Sequence, residues 1–187
     1  MGNHAQGRGV IQTRTHYLWG PLTASGLAVA AITGLLDQTA KLWLLFVFKL
    51  ADRGVVAVAP FVDLALAWNT GISYGWFQQE GPYGQWVLLA FKAVAVALLW
   101  IWLARADSRL TALALGLIIG GAIGNAIDRL TYGAVADFVL LHLETASGRF
   151  NWYVFNLADV AIVAGVAVLL YESLRGDGAP KPPRSRR

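Results

Sequence analysis

The sequence predicts an all-α membrane protein: four transmembrane helices with a small extracytoplasmic β-sheet segment. Three observations carry this. Of 187 residues, 57% are apolar, against about 45–50% in ordinary soluble domains. Charged residues make up 14%, against about 25%, and the mean hydropathy is +0.53. A soluble domain of this size has too little interior to hide that much apolar surface. Finally, the apolar residues gather into four runs, at 18–36, 86–103, 110–127 and 155–171, each close to the roughly 20 residues that cross a bilayer.

The first run holds no charge, and Asp37 closes it. At 19 residues it exceeds the apolar stretch of about 7–15 in a cleaved signal peptide, so it is read as a retained span. The second run has Lys92 as its only charge, and the short loop 104–109 forces an antiparallel hairpin into the third, which only Asn125 interrupts. The fourth holds Asp159 and is cleanly apolar over 160–170. Between the first two spans lies segment 38–85, where 55–63 and 64–69 are rich in Val, Phe and Trp and suit short strands at the membrane surface. Trp43, Trp68, Trp76, Trp86 and Trp152 fall at the same interface, where indole rings prefer to sit. The chain thus divides into an arm (1–16), a four-helix membrane domain (17–174) and a disordered basic tail (175–187).

Loop charge orients the spans. Arg8 and Arg14 in the arm, Arg105 and Arg109 in the tight loop, and Arg175, Lys181, Arg184, Arg186 and Arg187 in the tail are nine of the 15 basic residues. Only Asp107, Glu172 and Asp177 accompany them. Both termini are therefore expected in the cytoplasm. Charge so placed points to membrane lipids as partners and not to nucleic acid. The absence of cysteine rules out disulfides, thiolate metal sites and a cysteine nucleophile. His4, His16 and His142 have no ligand spacing, so no metal site is expected.

Polar groups inside spans are costly and usually functional. Here the topology gathers them in one layer at the outer edge of the bilayer. Asp37 ends the first span, Asn125 and Asp128 the third, Asn156 and Asp159 begin the fourth, and Asp137 lies in the loop between those two. Asn125–Asp128 and Asn156–Asp159 are i, i+3 pairs that share a helix face, and Asp37–Lys41 is an i, i+4 pair. Several of these have structural readings. Asp37–Lys41 reads as a helix-end ion pair, and Asp128–Arg129 as a brace for a loop. Lys92 is expected to snorkel to the interface, and His142 to be an ordinary loop residue. Gly116, Gly120 and Gly124 form overlapping G-x-x-x-G steps for close helix packing. Asp63, outside the polar layer, is expected to be dispensable. Asp137 and Asp159 resist such readings, because no cation adjoins either. Two carboxylates in a dry site share a proton, which provides a base for water and an acid for a departing amide. Ser73 and Ser147 have no evident base beside them. The alternative use of the same carboxylates is a proton or cation relay in a coupled transporter.

These residues match a family. Asp37-Gln38-Thr39-Ala40-Lys41, Asn69-Thr70-Gly71, the block from Gly120 to Arg129, Val135-Ala136-Asp137-Phe138 and Phe155-Asn156-Leu157-Ala158-Asp159 stand in the order found in lipoprotein signal peptidase (signal peptidase II), which this chain resembles. The resemblance implies an intramembrane aspartic endopeptidase of the bacterial inner membrane. Such an enzyme would remove the signal peptide of diacylglyceryl-modified prolipoproteins just before the lipidated cysteine, with its active site on the extracytoplasmic side. It implies Asp137 and Asp159 as the catalytic pair. Asp37, Lys41, Asn69, Gly71, Asn125, Asp128, Arg129 and Asn156 would be supporting or substrate-binding residues. No metal or cofactor is implied, and a monomer is expected. The chain departs from the family at Ile72-Ser73-Tyr74, where many members carry Ala-Ala-Phe, a difference that bears on the groove lining and not on the chemistry.

Overall fold

A computed structural model of the chain describes residues 18–71, 82–146 and 148–176. His4, Arg8, Arg14, His16, Ile72-Ser73-Tyr74, Trp76, Ser147 and the tail from 177 onward lie outside the described residues.

Four helices are long and apolar enough to cross a membrane: Thr23–Val47, Trp86–Ala104, Arg109–Tyr132 and Leu157–Arg175. The elements in chain order are α1 (Thr23–Leu42), which runs on through a π-helical turn (Trp43–Val47), α2 (Leu50–Arg53), β1 (Val56–Ala59), β2 (Val62–Asn69), α3 (Pro82–Ala104), α4 (Arg109–Tyr132), β3 (Val135–Thr145), β4 (Gly148–Phe155) and α5 (Leu157–Gly176).

The central helix is α4, the most enclosed of the four spans. Its glycines let two neighbours approach backbone to backbone. A Cβ on Gly116 would lie 2.5 Å from the Gly26 carbonyl oxygen, and one on Gly120 would lie 2.5 Å from that of Ala30, so that face receives α1. A Cβ on Gly121 would lie 2.5 Å from the Ala158 carbonyl oxygen, so the opposite face receives α5. The expected close packing is therefore present on both faces. Ser108 caps α4 by accepting from the Leu110 and Thr111 amides, and Gly133 ends it in a left-handed conformation.

Two span boundaries differ from expectation. The first helix does not stop at residue 36 but continues for a further turn and a half and then through the π turn. Asp37 lies inside it, completely buried, because Lys41 neutralises it one turn on. Likewise α4 continues past residue 127 and carries Asp128 and Arg129 within its last turns.

The strands form one antiparallel sheet in the order β1-β2-β3-β4. The first hairpin turns at Pro60 and Phe61, not between residues 63 and 64, since proline cannot donate to a ladder. The segment expected to be a loop around Asp137 is strand β3, which pairs with β2 so that Asn69 faces Val135 and Ala67 faces Asp137. His142 is also on β3, not in a loop, and is 8% exposed. Its Nδ1 lies 3.3 Å from Asp63, which also pairs with Arg149 on β4. Asp63 is thus a buried anchor of the sheet.

Candidate active site

The polar layer is built around one ammonium group. Lys41 Nζ lies 2.8 Å from Asp37 Oδ2 and 2.8 Å from Asp128 Oδ2. It also donates to Asn125 Oδ1 at 3.1 Å. All three charged side chains are essentially inaccessible to solvent. Backbone amides also donate to both carboxylates. The Ala158 amide donates to Asp37 Oδ1 at 2.9 Å, and the Ala136 amide donates to Asp128 Oδ2 at 3.1 Å. These bonds tie α1 and α4 to the start of α5 and the start of β3. Gln38, whose position carried no periodic signal, bridges Asp128 and the Gly124 carbonyl.

Asn125 passes this order outward. Its Oδ1 accepts from Lys41 and from Asn156, and its Nδ2 donates to Asp159 Oδ1 at 2.9 Å. Asn156 and Asp159 close on each other as a reciprocal cap on α5. The Asp159 amide donates to Asn156 Oδ1 at 3.0 Å, and the Asn156 amide donates to Asp159 Oδ2 at 3.2 Å. That explains the i, i+3 spacing, since a cap residue and its third successor face each other across the helix entrance. Asn156 Nδ2 also donates to Asp137 Oδ1 at 2.5 Å, and Asn69 Nδ2 donates to Asp137 Oδ2 at 3.2 Å. Asp137 and Asp159 are therefore held by one chain of amides and line the same cavity.

Lys41 takes the Asp128 carboxylate. Arg129 braces backbone, as a loop brace is expected to, and donates to the carbonyls of Gly71, at 2.7 Å, and Asn125, at 3.4 Å. Asn69 Oδ1 accepts from the Gly71 amide at 3.0 Å. Together these contacts hold the turn after β2 over the site. All ten residues singled out in the sequence thus meet here.

Burial, followed by the charge of Asp159, pushes the Asp137 carboxyl up to about 6, although Asn156 and Asn69 oppose this through their hydrogen bonds. A cavity of about 200 Å³ lies against the pair, lined by Asn69, Lys92, Asn125, Arg129, Asp137 and Asp159. Lys92 lines this cavity and also the open apolar groove between α3 and α4. A larger groove of about 830 Å³ opens from Asp137 and Asp159 between Trp68, Trp152 and the α5 face formed by Val160, Val163 and Ala167. Among the described residues, no three His, Asp or Glu side chains come together as a metal-binding group. The arrangement combines a carboxyl that burial pushes up, a second carboxyl beside it, a polar cavity and an apolar groove that opens from both.

A family model described as signal peptidase (SPase) II matches residues 29–175. The chain is 63% identical over 158 residues to a lipoprotein signal peptidase of Rhodopseudomonas palustris, covering 84% of this chain and 96% of that protein. It is 62% identical over 159 residues to one of Nitrobacter hamburgensis, covering 85% and 97%. A solved bacterial membrane enzyme shares the fold with a TM-score of 0.71 at 21% identity, covering 87% of this chain and 95% of that one.

Proposed function

The chain belongs to the signal peptidase II family, and from that premise we propose that Asp137 and Asp159 are its catalytic pair, acting at the extracytoplasmic edge of the membrane. The protein is a membrane peptidase that removes the signal peptide from prolipoproteins. The observation that carries the assignment of the pair is their shared amide scaffold, Asn125 and Asn156, beside a cavity large enough for several waters.

The reaction follows from the two environments. Asp137 is 3% exposed, and its carboxyl, pushed up to about 6, holds a proton to higher pH than an ordinary aspartate does. Asp159 is less buried and sits in the first turn of α5, beside the cavity. Asp159 takes a proton from a water in the cavity, and the hydroxyl adds to the scissile carbonyl carbon. Asp137 gives its proton to the departing nitrogen as the C–N bond breaks. The products are a signal peptide with a free carboxylate and a lipoprotein with a new amino terminus. The groove along α5 accommodates the apolar signal peptide, and the diacylglyceryl chains of the cysteine remain in lipid. Asp37, Lys41, Asn125, Asp128 and Asn156 position the pair, while Asn69, Gly71 and Arg129 hold the turn above it. The carboxylates converge at one end of the bundle, which does not support a transporter relay. A single chain holds the whole set, in keeping with a monomer. Incubation of the purified protein with a diacylglyceryl-modified prolipoprotein should give the shortened product as a mobility shift on a gel. The unlipidated precursor should remain intact. Equal cleavage of both would remove the lipidated cysteine from the reading.

Basic loops at the opposite end of the bundle, with Arg105, Arg109 and Arg175, support cytoplasmic termini. A reporter fused after Arg175 should be active only as a cytoplasmic reporter. Activity as a periplasmic reporter would overturn this orientation.

A further inference from the structure

Lys92 is the only charged residue of α3. Its helix face is set by its neighbours. Leu88 is buried, and Val96 and Leu99 pack on the core, while Phe91, Val94 and Leu98 are exposed on the other side. Lys92 therefore points at α4 and into the polar cavity. An ammonium inside an apolar span is costly unless charge or water meets it. Among the described residues none of the ion pairs involves Lys92.

The charged groups facing it come from every packed element. Arg129 and Asp128 stand on α4, Asp159 on α5 and Lys41 on α1, and Asp137 on β3 lines the same cavity. The other two cations are engaged elsewhere, Lys41 by Asp37 and Asp128, and Arg129 by backbone carbonyls. Four carboxylates stand in this network, namely Asp37, Asp128, Asp137 and Asp159. With one proton shared by the last two, three negative charges remain against the three cations. Without Lys92 the buried network would carry an uncompensated negative charge.

We infer that Lys92 is a positioning residue of the peptidase: its ammonium supplies, across the cavity, the counter-charge that keeps one member of the Asp137–Asp159 pair ionised. This rests on the pair being catalytic. Removing a nearby positive charge makes every carboxylate in the cavity harder to ionise. Both the appearance of the base and the loss of the shared proton then move to higher pH.

The test is a pH profile of kcat/KM for the full-length chain in detergent, with a synthetic diacylglyceryl-modified prolipopeptide. Lys92→Met should displace both limbs upward by about half a unit or more. Lys92→Arg, which restores the charge, should bring the limbs back. Thermal unfolding of the Met variant should be lowered at high pH and should recover as the pH falls and the carboxylates take up protons. Limbs that stay in place in Lys92→Met would overturn the inference, whatever happens to the rate. So would a Met variant that fails to fold even at low pH, where the carboxylates are protonated and no counter-charge is missing. A native chain that leaves the lipidated peptide uncut would instead overturn the peptidase reading, a result distinct from either.

Discussion

Lys41→Met is expected to lose most of its folded yield. The substitution keeps the length of the side chain and deletes the charge that Asp37 and Asp128 share, both at 2.8 Å. Two carboxylates with essentially no solvent access would then face each other without a cation. Removing one partner of a buried ion pair costs about 3–5 kcal/mol, a large part of the ~5–15 kcal/mol that holds a typical fold together. The damage would spread beyond the pair, because Asp37 accepts from the Ala158 amide and Asp128 from the Ala136 amide. Those bonds seat the α5 entrance and β3. The control removes the stranded charges. Lys41→Met combined with Asp37→Asn and Asp128→Asn should recover thermal stability in detergent relative to Lys41→Met alone, since groups in one network are not additive. An unaltered melting temperature for the single variant would show that the ammonium is not what seats these helices.

This network also shows what a sequence can and cannot disclose. Asp37, Lys41, Asn125, Asp128, Asn156 and Asp159 were legible because each is a polar residue in an apolar run, spaced by three or four so that a helix brings it to its neighbour. The pairing across helices was not. Arg129 follows Asp128 directly in the chain, but successive helical residues point in different directions, so Lys41 on another helix takes the carboxylate. Bonds from Ala136 and Ala158 come from backbone amides and leave no mark on side-chain identity. The four spans were legible from apolar length, whereas their ends shifted wherever an internal ion pair allowed a charge to remain inside a helix. Strand β3 escaped because its first half is buried on both faces. It shows none of the apolar–polar alternation that marks a strand with one wet side. Lys92 was visible as a charge, but its direction depends on which face of α3 meets α4, a fact of packing and not of spacing.

Asp137→Asn and Asp159→Asn should each reduce kcat by at least about 1,000-fold, in line with the loss of a general acid or base that acts as part of a unit. Neither amide can release or take up the proton that the two carboxyls pass between water and leaving group. Each carboxylate now accepts two N–H donors, one on each oxygen, and Asn replaces one of those oxygens with an NH2 group. For residue 137 the donors are Asn156 and Asn69, and for residue 159 they are Asn125 and the Asn156 backbone. One hydrogen bond is therefore lost at each site, about 1–3 kcal/mol, so thermal unfolding and binding of the lipidated peptide must be measured beside turnover. Both variants are expected to stay folded and to bind. The double variant should be scarcely slower than either single one, because half of a proton-sharing pair has little catalytic use. Asp52→Asn, an exposed carboxylate on α2, is the fitting control and should leave activity intact. Asp63→Asn is not a fitting control, since it would strip His142 and Arg149 of their buried partner. Near-normal cleavage by a folded Asp137→Asn or Asp159→Asn chain would mean that the proton is carried by other groups in the cavity, and the aspartic mechanism would have to be abandoned.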